Sequence, residues 1–175
     1  MATLRIPVGP DDHVQGMADA AVTLVEYGDY QCPHCGRAYP IVKALQEHFG
    51  NQLRFVFRNF PLRESHPWAE AAAETAEFAA TERRFWPMHD LLFENQSRLD
   101  GALFAQLGTD LGLNADALRQ ALEEGRFAKK VQHDFSGGVR SGVNGTPTFF
   151  INGERHNGDF EFSTLVEVIG STLGS

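Results

Sequence analysis

The chain has 175 residues, 42% of them hydrophobic, which is enough for one well-cored domain and too short for two without a visible linker. Its formal net charge is −8 at pH 7, with Lys and Arg scattered rather than blocked, which argues against a nucleic-acid surface or an anionic-membrane surface. No window approaches the roughly 20 apolar residues that span a bilayer, so no stable membrane insertion is expected.

Residues 1–20 carry Pro7, Gly9, Pro10, Asp11 and Asp12 before any apolar pattern develops, and read as an arm or a short edge element. Met1 to Pro7 has no apolar stretch of the kind that opens a secretory signal. As it stands this predicts a cytoplasmic home, and a periplasmic or extracytoplasmic one if a leader has been removed. Ala21 to Tyr27 is a near-continuous apolar run, the pattern of a strand buried on both faces. Ala38, Ile41, Val42, Leu45 and Phe49 then recur at helical spacing, and Gly50 closes that helix. Leu53 to Phe57 reads as a second strand, completing a right-handed βαβ unit.

From about residue 64 to residue 142 the pattern is helical. Trp68 through Phe78 is alanine-rich; Phe85, Met88, Leu91 and Leu92 form a stripe; Asp100 and Asn114 are placed to cap two further helices. The aromatic and Met stripes read as core packing. Sheet pattern resumes at Thr148-Phe149-Phe150-Ile151, Asn152-Gly153 signals a type I′ hairpin before Glu154, and Leu165, Val168, Ile169 and Leu173 mark a last helix.

The chain's two cysteines, in Cys32-Pro33-His34-Cys35, fall at the junction between the first strand and the first helix. A cysteine at a helix start lies beside unpaired backbone N–H groups, which favour the thiolate that disulfide exchange requires. A second cysteine one turn later can attack a mixed disulfide and release the partner. The competing readings are two buried structural cysteines or half of a zinc site. Zinc needs four ligands, and no second Cys pair or His-x₃-His follows, so no metal is expected.

Strand, CxxC, helix, strand, then a late Thr-Pro before a hairpin and helix is the element order of the thioredoxin fold. Val25-Glu26-Tyr27 leading into Cys32-Pro33-His34-Cys35, the helical stretch before Gly145-Thr146-Pro147-Thr148, and the terminal hairpin and helix together resemble the DsbA family of thioredoxin-fold oxidoreductases. The resemblance covers residues 14–173. It implies an α/β chain with a thioredoxin-like fold and a helical insertion between the second sheet strand and the Thr-Pro loop, all of it a single domain over residues 1–175.

By that resemblance Cys32 is the exposed nucleophile and Cys35 the buried resolving thiol, while Pro33 and His34 set the redox poise. His13, His48, His66, His89, His133 and His156 lack a comparable setting and are assigned structural or solvent-facing places. Glu26 is the one charged residue in its apolar run; burial should raise its pKa and let it relay a proton to or from Cys35. A strand-end carboxylate reaching solvent or an Arg is the plainer alternative. Pro147 is expected to follow a cis bond beside the cysteines, and Thr146 to offer its backbone to an extended substrate chain; the alternative there is an ordinary turn.

The expected activity is formation or exchange of disulfides in protein substrates, by a monomer that needs no cofactor but does need a redox partner to regenerate the pair. A reductase or isomerase running the same chemistry differently, a chaperone-like module that binds polypeptide without turnover, and a glutathione-transferase-like enzyme are the alternatives carried forward.

Overall fold

The structure, a computed structural model, describes residues 2–174. Its elements in chain order are β1 (His13–Gln15), β2 (Val22–Gly28), α1 (Pro33–Phe49), β3 (Leu53–Asn59), α2 (Ala69–Ala80), α3 (Phe85–Glu94), α4 (Gly101–Asp110), α5 (Ala115–Glu124), α6 (Ala128–Arg140), β4 (Thr148–Ile151), β5 (Glu154–Arg155) and α7 (Phe162–Leu173). The strands form one sheet in the order β1-β3-β2-β4-β5. β2 and β3 run parallel, with Glu26 opposite Phe57; β1 is antiparallel to β3, and β4 to both β2 and β5. This is a mixed α/β thioredoxin-like architecture, with five helices between β3 and β4 where the helical insertion was expected.

The central strand β2 is apolar because both of its faces are covered. Leu24 on one face and Val25 and Tyr27 on the other are all buried. Leu24, Phe55, Phe57, Phe149 and Ile151 pack with Ala38, Val42 and Leu45 of α1, Leu165 and Ile169 of α7, and the apolar stripes of α2 to α5. On the opposite face Val25, Tyr27, Val56 and Phe150 meet Phe60, Val143 and the partly buried Leu4, Val8 and Phe135. Gly138 lets α6 close on that face, since a Cβ there would lie 2.8 Å from the Phe60 ring and 2.9 Å from that of Tyr27.

Local signals end the elements where the sequence placed them. Gly50 (φ 52°) closes α1, the Asp100 side chain accepts from Leu103 N–H at 2.8 Å, and Asn114 accepts from Ala117 N–H at 2.9 Å. Asn152 and Gly153 both take positive φ, 48° and 86°, as a type I′ turn requires. The N-terminal arm becomes the edge strand β1 and is fastened by Arg58, 3% exposed. Arg58 Nε donates to Asp12 at 2.8 Å, and its terminal nitrogens donate to Asp12, the Ile6 and Pro7 carbonyls and Tyr27 Oη at 2.8–3.2 Å.

Candidate active site

The redox pair sits where β2 ends and α1 begins. Cys32 keeps an extended backbone (φ −72°, ψ 122°) as the N-cap of α1, and Pro33 occupies the first turn, where its missing N–H is no loss. Gly36 N–H donates to the Cys32 carbonyl at 3.0 Å, the first bond of the helix. Both cysteines are free thiols in this structure. Cys35 is wholly buried on the inner stripe of α1 with Ala38, Val42 and Leu45, and Cys32, expected to be exposed, is itself buried at the helix tip, 3% exposed, because the Thr146–Pro147 turn closes over it.

The two sulfurs have opposite electrostatics. Cys32 is lowered to about 5: the Cys35 thiol donates to it, Thr146 adds a side-chain hydrogen bond, and the backbone N–H groups of Cys35 and His34 contribute, together outweighing the cost of burial. Cys35 is pushed well above its ordinary value, first by burial and then by its own hydrogen bond to Cys32 and by the nearby charges of Glu26 and Cys32. The Asp29 N–H, 3.4 Å from Cys35 Sγ, works weakly the other way.

Thr146 comes to the pair from 114 residues away. Its carbonyl accepts from Cys32 Sγ–H at 3.6 Å in the thiol form, and the Thr146–Pro147 bond is cis. The Thr146 hydroxyl is buried with no hydrogen-bond partner among the described residues, so it is available to donate to the sulfur once the thiol has lost its proton. His34 is exposed, and its backbone N–H helps to lower Cys32.

Glu26 lies on the α1 face of β2, 3% exposed. No ion pair or side-chain hydrogen bond holds it among the described residues. Burial, and then the Cys32 charge, raise it to about 8, so it carries a proton at neutral pH. A cavity of about 10 Å³, at the lower limit for one water, is lined by Glu26 together with Gln15, Lys43, Gln46 and His89.

Sequence reasoning brought Glu26, Cys32, His34, Cys35, Thr146 and Pro147 forward, and missed the polar frame around them. Asp29, 1% exposed, accepts from Gln31 N–H at 2.7 Å and Cys32 N–H at 3.2 Å with one oxygen; with the other it accepts from Leu62 N–H at 2.9 Å and meets His66 Nδ1 at 2.8 Å. An Asp three residues ahead of a helix-start cysteine is a capping spacing that could have signalled this role. Tyr30, fully buried, pairs with His89 Nδ1 at 2.9 Å, and burial holds that imidazole neutral, well below its usual range. His89 therefore has the structural place the sequence assigned it.

The chain matches the protein-family model described as Thioredoxin over residues 9–171. Among solved structures it is similar to oxidised BdbD from Bacillus subtilis, with a TM-score of 0.89 and 26% identity over 99% of both chains. It is also similar in fold to alpha-DsbA1 from Wolbachia pipientis, TM-score 0.84 and 22% identity, covering 98% of this chain and 94% of that one. Among curated proteins it is 44% identical over 171 residues to the Na(+)/H(+) antiporter NhaA 1 of Salinispora arenicola, 97% of this chain but 26% of that protein. It is 36% identical over 170 residues to the Na(+)/H(+) antiporter NhaA 1 of Mycobacterium sp. (strain KMS), 95% of this chain and 28% of that protein. The chain thus spans about a quarter of the length of the curated relatives it matches. Among the described residues no helix is long and apolar enough to cross a membrane.

Proposed function

The chain belongs to the thioredoxin family and is a DsbA-like member of it, and from that premise we propose that it is a thiol–disulfide oxidoreductase that forms disulfides in protein substrates. The observation that carries the reading is the asymmetry of the pair: Cys32 is lowered to about 5 while Cys35, one helical turn away, is pushed well up. A low-pKa sulfur is a good leaving group, and a high-pKa partner favours its own protonation.

In the proposed cycle a substrate thiolate attacks Cys32 Sγ of the oxidised pair. The Cys32–Cys35 bond breaks, and the departing Cys35 sulfur takes a proton from Glu26, whose carboxyl burial raises and so keeps protonated. A second substrate thiolate then attacks the substrate sulfur of the mixed disulfide and expels Cys32 as a thiolate. The substrate has lost two electrons and the pair has gained them; one substrate proton ends on Cys35 through Glu26, and the other goes to solvent. A redox partner of more oxidising potential restores the disulfide. Thr146, whose carbonyl already faces Cys32, is the backbone position that would pair with an extended substrate chain.

The lowered Cys32 also supports an expected direction of flow. Stabilising the Cys32 thiolate lowers the reduced state relative to the disulfide, so a lower pKa makes a stronger oxidant. We expect a potential between the values of thioredoxin and DsbA, about −270 and −120 mV, in keeping with a Cys32 lowered to about 5.

Two measurements on the purified protein test this. Alkylation of the reduced protein against pH should label Cys32 alone, with a midpoint near 5 that rises more in Thr146→Val than in His34→Ser, because the Thr146 side chain is among the groups that lower Cys32 and His34 contributes through its backbone N–H. Titration against glutathione should place the potential inside the stated window. Labelling of Cys35 first, or a potential at or below that of thioredoxin, would exclude the oxidant and leave a reductase. Undiminished cellular function in a double Cys32→Ser, Cys35→Ser protein would favour a chaperone-like module instead.

A further inference from the structure

The peptide units around Cys32 are held by two side chains, one on each side of their polarity. Asp29 takes the N–H groups of Gln31 and Cys32. The carbonyls are taken by Gln96, which lies 64 residues beyond Cys32 in the helical segment, in the 3-10 turn Gln96–Arg98 that follows α3. Gln96 Nε2 donates to the Cys32 carbonyl at 2.8 Å and to the Tyr30 carbonyl at 2.9 Å. The Cys32 carbonyl therefore accepts twice, from Gln96 and from Gly36 N–H at 3.0 Å.

Gln96 reaches this position only because residue 36 has no side chain. A Cβ on Gly36 would lie 2.3 Å from Gln96 Oε1 and 3.0 Å from its Cδ, closer than packed atoms come. Gly36 is the residue after Cys35, so the redox helix is shaped to admit a side chain from outside the βαβ unit.

We propose that Gln96 is a positioning residue for the redox pair, holding the Cys32 peptide in the orientation in which the backbone N–H groups of His34 and Cys35 face Cys32 Sγ. The proposal rests on the exchange reading of the preceding subsection and extends it to the helical segment. The N–H groups reach the sulfur while Cys32 stays in its extended N-cap conformation and its carbonyl stays in the first bond of α1. Two donors on that carbonyl, together with the bond to Tyr30 two peptides earlier, resist rotation of the turn. Without Gln96 the Cys32 carbonyl keeps one donor, and the Tyr30 carbonyl loses the side-chain donor that Gln96 supplies.

The test uses two variants that remove the contact by different means. Gln96→Met keeps length and loses both donors; Gly36→Ala keeps the donors and forces the amide away. Circular dichroism confirms that each is folded, and the ultraviolet absorbance of the Cys32 thiolate is then followed against pH in the reduced protein. Each variant should raise the midpoint by roughly half to one pH unit, a three- to tenfold loss of thiolate at a given acid pH, the scale expected for losing one or two hydrogen bonds. The double variant should shift no further than the larger single one, since both remove one contact.

An unchanged midpoint in folded Gln96→Met overturns the proposal, and if that variant does not fold, the Gly36→Ala midpoint decides alone. Fully additive shifts in the double variant overturn it as well. Exchange by the unaltered protein with a small disulfide separates the two readings. If it exchanges while the variants keep its midpoint, the role of Gln96 falls; if the midpoints move but the unaltered protein does not exchange, the proposed function falls.

Discussion

Both faces of the central sheet bury charge, and they treat it in opposite ways. Beneath α6, Arg58 and Asp12 lie together with the guanidinium spread over five contacts, and Lys130 Nζ sits 2.8 Å from Asp134, which also accepts from Asn59 N and Nδ2 at 3.0 Å each. Burial works to raise Asp12, but Arg58, the Gly9 N–H and Lys130 together offset it and hold that carboxyl below its ordinary range. Beneath α1, Glu26 has no such company and is raised to about 8. A carboxylate that is to hold the fold together is given a cation and N–H donors. Glu26 is given neither, and the fold bears a desolvation cost for it, a setting that suits the proton transfer proposed for it.

The comparison breaks most sharply at Arg58. Arg58→Met should destabilise by about 3–5 kcal/mol, because Asp12, its side chain only 9% exposed, stays behind without its cation and the Ile6 and Pro7 carbonyls lose a donor. Denaturant unfolding measures the loss. The thiolate midpoint of Cys32 should not move, since the cluster lies across the sheet. A midpoint that moved with Arg58 would mean that the two faces are electrostatically one site.

Glu26→Gln should act in the opposite direction. Because the folded pKa is raised from 4.5 to about 8, the folded state holds a proton that the unfolded chain releases, and stability falls as pH rises through that window. At pH 7 the accumulated penalty is about 3 kcal/mol at 1.36 kcal/mol per unit, so Glu26→Gln should be more stable there by that order, with the gain vanishing near pH 4. The step that protonates Cys35 should slow. Urea unfolding at pH 4 and 7 checks the sign, and equal stability gains at both pH values would show that Glu26 is not the group responsible.

The smallest expected effect converts one region towards the other. Asp134 is itself raised by burial, with Lys130 and Asn59 working to hold it down. Lys130→Met should raise it further, costing about 1 kcal/mol at pH 7 and less at pH 4, where the unfolded chain is also partly protonated. The same pair of unfolding curves reads this difference, and a loss that did not shrink at pH 4 would assign the lysine a packing role instead.

What the sequence made legible was whatever depends on neighbours along the chain. The runs 21–27 and 53–57, the stripe through Ala38 and Leu45, the caps Asp100 and Asn114, and the Asn152-Gly153 turn each encode their structure within a few residues, and each is found in place. Glu26 stood out because one charge in an apolar run is a local anomaly. Arg58 and Gln96 did not, because each meets its partners 31 to 66 residues away, and neither periodicity nor composition marks a polar side chain for a distant carbonyl. His34 was legible as a neighbour of the cysteines, but the outward direction of its ring was decided by the packing of α1.

The contact between Thr146 and Cys32 joins positions 114 residues apart, and this has a consequence for biosynthesis. At about 5–20 residues per second a ribosome takes roughly 6 to 23 seconds to pass from one to the other. For that interval both cysteines exist in a nascent chain that has neither β4 nor the Thr146 hydroxyl. Cys32 then lacks part of the surroundings that make it acidic, and it behaves more like an ordinary thiol. The surroundings of Cys32 are completed by a segment far downstream of it, so a translation product truncated before Thr146 should hold Cys32 less acidic even with its motif intact.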